Sequence, residues 1–319
     1  MDDSARTILP TPTDTRRTEG LTALANGISL SLMTHHLQRP EGRIAYTVDG
    51  PANGPLVVLI PGMGDLRSTW RELTGPLVDA GHRVAVLDLR GHGDSDTTFS
   101  THGDVVTGQD ALALVEHLGG PAVLVGNSMG AAAAGWAAAE RPDLVAGLVL
   151  TGPFLRERPM PAVAVAVFHG LERLLFARPW GGAVWASYYR GYLNRGTKAP
   201  WLDEHVADLR AAMTDPAHLR SFRHLTVQLT HAPVEARVPE IVAPAVAFVG
   251  AIDPDFKDPA AEAEWLRGAI DADVTLIPGV AHYPQNQAPE VVVPRTLAFL
   301  ETLPRDTSGR FQVRASARA

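Results

Sequence analysis

The chain contains no cysteine. Disulfides, thiolate metal sites and a cysteine nucleophile are therefore excluded, while the redox compartment is left open. Long apolar runs are missing too: about 18 uninterrupted apolar residues occur nowhere, so no membrane span is expected. The opening stretch, MDDSARTILPTPTDTRRTEG, starts acidic and has no apolar h-region. It does not read as a secretory signal, and a cytoplasmic location is the expectation. A basic cluster is also lacking. With a net charge of −7 and a pI near 5.9, neither nucleic acid nor an anionic membrane is expected as a partner.

What remains is a globular composition, 45% hydrophobic and 20% charged over 319 residues. That length suits one large α/β domain, or a core with a small second domain. Residues 1–35 are rich in Thr, Pro and Arg and are expected to form a loosely attached arm; the tail at 303–319 is expected to fray. Between them, apolar runs that suit buried parallel strands occur at 43–48, 56–60, 84–89, 122–126, 148–152, 245–250 and 274–278. Helical stretches separate most of them, at 68–80, 104–118, 129–140, 259–270 and 289–302. This alternation predicts an α/β fold with a mostly parallel sheet covered on both faces, entered through an antiparallel hairpin around 36–49. Between 153 and 240 the strand signal vanishes and aromatic-rich, helix-like sequence takes over. The expected organisation is a core of 36–153 plus 236–302, with 154–235 as a helical cap over the carboxyl ends of the strands, the edge where open α/β sheets bind ligands.

The stretch LVGNSMGAAAAGW, from residue 124, puts Ser128 between two glycines, after a strand run and before a helical one. Glycine weakens both element types, so Gly126 and Gly130 need a reason to be there. A plain loop is one reason. The other is a sharp strand-to-helix turn that presents Ser128 as a nucleophile from strained backbone angles. A serine hydroxyl needs a base to take its proton. Of the twelve histidines, His282 in IPGVAHYPQ lies on the loop after the last strand run; a merely packed histidine is the alternative. His82, His117, His205 and His218 fall on helices or helix ends, where packing is the expected role. The base needs an orienting carboxylate: Asp253 follows a strand run directly, with Asp255 the alternative two residues on. Two backbone N–H groups should hold a developing oxyanion, Met129 at the start of a helix and Met63 in the loop after LVVLI.

Together IPGMG, VLDLRGHGDS, GNSMG, AIDPDF and VAHYPQNQAPE, in this order, resemble the α/β-hydrolase superfamily from about residue 43 to 302, in particular its capped, serine-nucleophile members. The resemblance implies the α/β-hydrolase fold and a triad of Ser128, Asp253 and His282, with Met63 and Met129 as oxyanion donors and no cofactor or metal. Two departures stand out: Pro61-Gly62 where many relatives have His-Gly, and Ala281 where a glycine usually precedes the catalytic histidine. Haloalkane dehalogenases and epoxide hydrolases of this fold have an aspartate at the nucleophile position, so Ser128 argues against both. Asp88, His92 and Ser95 in DLRGHGDS are expected to form a turn, and a metal site from His92, Asp94 and Asp96 is not expected.

The expected activity is cleavage of a small-molecule carboxylic ester, lactone or thioester through an acyl-enzyme. Carbon–carbon bond hydrolysis and cofactor-free perhydrolysis are alternatives within the fold, and a ligand-binding or non-hydrolytic member that retains the triad is the alternative from another class. Trp185, Tyr188, Tyr189 and Tyr192 fall at i, i+3, i+4 and i+7, one helical face. Packing of the cap on the core accounts for such a stripe, and so does a wall for an apolar substrate pocket. Oligomeric state and substrate charge are left open.

Overall fold

The structure, a computed structural model, describes residues 33–157 and 161–313. The strands are β1 His35–Arg39, β2 Gly42–Asp49, β3 Leu56–Ile60, β4 Arg83–Leu87, β5 Ala122–Asn127, β6 Val145–Thr151, β7 Ala245–Gly250 and β8 Asp273–Ile277. They form one sheet in the order β1-β2-β4-β3-β5-β6-β7-β8, parallel from β4 onward. The helices are α1 Arg71–Asp79, α2 Asp104–Leu118, α3 Met129–Glu140, α4 Ala162–Leu175, α5 Gly181–Tyr188, α6 Leu202–Ala212, α7 Pro216–Gln228, α8 Ala232–Glu235, α9 Pro259–Ile270, α10 Pro284–Gln287 and α11 Pro289–Thr302.

Successive side chains of a strand face opposite ways, so a fully apolar strand feeds two cores. In β3, Leu56, Val58 and Ile60 belong to the core that α2, α3 and α9 complete, whereas Val57 and Leu59 belong to the one that α1 and α11 complete. Each fully buried aliphatic side chain stabilises this arrangement by roughly 1.5–3 kcal/mol. Helix α3, mostly alanine, is buried through Ala139 and lies between β5 and α2. A helix with no exposed face can be apolar all round.

Three expectations need correction. The run at 43–48, grouped with the parallel strands, belongs to β2, which is antiparallel to both β1 and β4 and forms with β1 the hairpin expected around 36–49. Arg39 pairs with Gly42 across a tight turn, and a hairpin that short can only join antiparallel strands. The N-terminal arm, expected over 1–35, falls outside the described residues up to 32, and His35 already opens β1. The tail expected to fray from 303 is instead anchored over its described part, up to 313: Leu303 and Phe311 are buried, and the Phe311 ring stacks on His82 at 5.7 Å. Apolar burial of one aromatic ring outweighs the polar sequence around it.

Between β6 and β7 the described residues form helices α4 to α8 and no strand. They have an aromatic core of their own, with Phe176, Trp185, Tyr189 and Phe222, which extends to Tyr283 on the loop after β8. Main-chain bonds join the two parts: the His282 N–H donates to the Leu193 carbonyl at 3.0 Å and the Thr197 N–H to the Gly279 carbonyl at 3.0 Å. Among the described residues no helix is long and apolar enough to cross a membrane.

Candidate active site

Strand β5 ends at Asn127, and α3 starts at Met129. Ser128 joins them with φ 56° and ψ −122°, a left-handed conformation that costs a non-glycine residue about 1–3 kcal/mol. The glycines on either side make the turn possible by being small. A Cβ on Gly126 would come within 2.3 Å of the Gly130 carbonyl oxygen, and one on Gly130 within 2.3 Å of the Ile60 carbonyl oxygen. Only hydrogen fits there, which settles the role of the glycines left open by the sequence.

The other groups hang from neighbouring strands. Asp253 lies just past β7, its N–H bonded to the Gly250 carbonyl. His282 lies past β8, and its Nδ1 is 2.8 Å from Asp253 Oδ2, both side chains being buried. Asp255 Oδ2 is farther from the same nitrogen, at 3.7 Å, and Asp255 Oδ1 accepts the Tyr188 hydroxyl at 3.4 Å. Of the two carboxylates, Asp253 is therefore the one in hydrogen-bond contact with the imidazole. Asp253 Oδ1 in turn accepts the Asp255 N–H at 2.9 Å. Asp253, Asp255 and His282 also cluster closely enough to suit a cation, but the histidine nitrogen is engaged by the carboxylate.

Ser128 and His282 line one cavity of about 690 Å³, together with Met63, Met129, Phe154, Trp185 and Tyr188. Gly62 brings the loop after β3 against the serine, since a Cβ there would lie 3.1 Å from Ser128 Cβ. Among the described residues, no acceptor takes the Met63 or Met129 N–H. Both amides are thus available beside Ser128, and the one at Met129 stands at the positive end of α3. A larger concavity, about 1120 Å³, opens at the amino ends of β7 and β8 and holds none of these residues. It is on the wrong edge of the sheet.

The aromatic stripe splits into two pairs. Trp185 and Tyr189 are buried, Tyr188 and Tyr192 are exposed, and the latter two rings stack at 4.9 Å. Regular α-helix stops at Tyr188 and a wider π turn follows over Tyr189–Leu193. The single face expected from 3.6-residue spacing does not hold across that junction. Trp185 and Tyr188 line the cavity; Tyr189 lies behind it, and Tyr192 points its hydroxyl at the Pro254 carbonyl.

Tyr189 and His205 act on the loop that carries Met63. Asp65 Oδ2 accepts the Tyr189 hydroxyl at 3.1 Å, and Asp65 Oδ1 lies 2.7 Å from His205 Nε2. His205 Nδ1 is 3.1 Å from Ser68 Oγ, and Trp185 Nε1 donates to the Gly64 carbonyl at 2.9 Å. Sequence spacing gave no sign of this, because the partners lie more than a hundred residues apart. Phe154, which is in ring contact with both His282 and His231, was missed for the same reason. In the DLRGHGDS turn, Asp88 accepts the main-chain N–H groups of Arg67 and Asp94, and Ser95 Oγ donates to the Asp88 carbonyl. Burial pushes the Asp88 carboxyl up to about 6 and His92 down to about 4. These residues build the turn, as expected.

Residues 57–295 match the alpha/beta hydrolase family. The chain is similar to a 2-(acetamidomethylene)succinate hydrolase from Mesorhizobium japonicum, 26% identical over 269 residues, which are 82% of this chain and 93% of that protein. It is 36% identical over 105 residues to an sn-1-specific diacylglycerol lipase from Mus musculus, covering 32% of this chain and only 34% of the lipase. Among solved structures, an alpha/beta hydrolase from a Medee basin deep-sea metagenome library superposes with a TM-score of 0.71 at 20% identity, covering 85% of this chain and 99% of the other. With the strand order, the turn at Ser128 and a family match over most of its length, the chain belongs to the alpha/beta hydrolase family.

Proposed function

We propose that the protein is a serine hydrolase that cleaves a small-molecule carboxylic ester, or a lactone or thioester, through an acyl-enzyme. The observation that carries this reading is the strained Ser128 opening into the same cavity as His282, whose Nδ1 is held by Asp253. Because Asp253 accepts from Nδ1, the neutral ring keeps its lone pair on Nε2, the nitrogen left to take the serine proton. Ser128 Oγ attacks the substrate carbonyl as His282 accepts that proton. The tetrahedral oxyanion is received by the Met63 and Met129 N–H groups. His282 then protonates the departing alkoxide or thiolate, leaving Ser128 acylated. Water, deprotonated by His282, attacks the acyl carbon, and collapse returns the proton to Ser128 and releases the acid.

A cavity of this volume suits a small molecule rather than a polymer. The helices of 154–235 serve as its cap, supplying Trp185 and Tyr188 to the wall. The direct test is hydrolysis of p-nitrophenyl butyrate with labelling by a fluorophosphonate. Ser128→Ala should lose both turnover and label while its circular dichroism stays native. Undiminished turnover in a clean preparation of that variant would refute the assignment.

A further inference from the structure

The described lining of the Ser128 cavity includes the carboxylates of Glu157, Glu172 and Asp255, with no lysine or arginine. Two of the three are engaged. Glu157 Oε2 accepts from the His231 N–H at 2.7 Å, the Ala232 N–H at 3.2 Å and the Thr230 hydroxyl at 2.6 Å. Asp255 accepts the Tyr188 hydroxyl and faces His282. Glu172, on α4, differs from both. It is 8% exposed, and its Oε2 is buried with no hydrogen-bond partner among the described residues.

A buried carboxylate oxygen without a donor is unfavourable, and native proteins rarely keep one without a use. Burial pushes the Glu172 carboxyl up to about 7, and the neighbouring Arg173 charge opposes this only in part. Among the described residues no donor meets this oxygen, so a positive charge brought by a ligand would relieve it. The cavity that Glu172 lines also has aromatic rings, Phe168 one turn before it on α4 and Trp185 and Tyr188 on α5. Ring faces attract cations and are especially suited to alkylated ammonium groups, which have few N–H bonds to satisfy.

We propose that Glu172 forms a cation subsite in this cavity, and that the substrate is an ester carrying an ammonium group, balanced by Glu172 and packed on the rings of Phe168, Trp185 and Tyr188. This rests on the serine-hydrolase reading for its chemistry, but not for its binding, and the two can be tested apart. Glu172 does not act on the reacting bond; it selects which molecule reaches Ser128.

The test is calorimetric binding of choline against its uncharged isostere 3,3-dimethylbutan-1-ol, at pH 8, to the full-length Ser128→Ala protein. Choline should bind about tenfold more tightly. Adding Glu172→Gln, which keeps the shape and removes the charge, should abolish the preference, and Phe168→Leu should weaken it. Equal binding of the two ligands, or a choline preference that survives Glu172→Gln, would overturn the subsite. If the double variant fails to fold, the isostere comparison on Ser128→Ala with Phe168→Leu still decides. A kinetic arm then compares butyrylthiocholine with 3,3-dimethylbutyl thiobutyrate on the unmodified enzyme, the cationic ester having the higher kcat/KM. Loss of all ester turnover with the choline preference intact would count against the serine-hydrolase reading alone.

Discussion

Asn127 holds His282 by its main chain: Asn127 Nδ2 donates to the His282 carbonyl at 3.1 Å and to the Thr151 carbonyl at 3.0 Å. The residue that precedes Ser128 thus ties the ends of β5 and β6 to the loop that presents the imidazole. All three groups are buried, so removing the donor would take this bond from the His282 carbonyl at a cost of about 1–3 kcal/mol, while the Thr151 carbonyl keeps the Ser128 N–H at 2.9 Å. Asn127→Ala should lower the melting temperature and reduce kcat/KM on p-nitrophenyl butyrate by about tenfold or more. Fluorophosphonate should still label Ser128, more slowly. Normal turnover at a reduced melting temperature would mean the tie is structural alone.

The two carboxylates near His282 should separate cleanly by substitution. Asp253→Asn places a donor against Nδ1 and favours the wrong tautomer, which lowers kcat by up to about four orders of magnitude. Asp255, at 3.7 Å, contributes only a distant charge. Asp255→Asn should cost less than about tenfold by the same measure. Comparable losses in both variants would reassign the orienting role.

Asp65 should govern rate more than affinity. It is two residues from Met63 and fully buried, with Tyr189, His205 and the Leu66 N–H as its partners. Asp65→Asn loosens the loop that carries one proposed oxyanion donor; displacing such a donor costs about 10²-fold in kcat. KM should change little, and His205→Gln should move kcat in the same direction. An effect confined to KM would show that the pair shapes the pocket rather than the loop.

His82 should contribute to acid sensitivity. Burial first, and the Arg305 charge second, push its imidazole down to about 4 from an ordinary 6.5. Between those values the unfolded chain binds the proton and the folded one does not, so stability is lost as pH falls from 6.5 toward 4. The slope is up to about 1.4 kcal/mol per pH unit from this residue. His82→Leu keeps an apolar contact for Phe311 and removes the titration. Urea unfolding at pH 7, 6 and 5 should show the stability gap between wild type and variant shifting in favour of the variant as pH drops. A gap that stays constant would mean that His82 titrates alike in the folded and the unfolded chain.

Local pattern alone determined the ladder of parallel strands and the helices at 104–118, 129–140, 259–270 and 289–302, because apolar period and glycine placement are properties of neighbouring residues. It also singled out Ser128 between glycines 126 and 130 at a strand end, and the close approach of backbone to both glycines then decided for a tight turn over a plain loop. Tertiary structure decided the rest. That Asp253 and not Asp255 meets His282 is a difference of 0.9 Å between two contacts, set by how β7 and β8 end. The aromatic stripe separated into buried and exposed pairs because a π turn changed the winding at Tyr189. The Asp65–His205 contact and the unpartnered Glu172 arise from segments far apart in the chain, brought together by packing, and packing of that kind leaves no local periodicity to read.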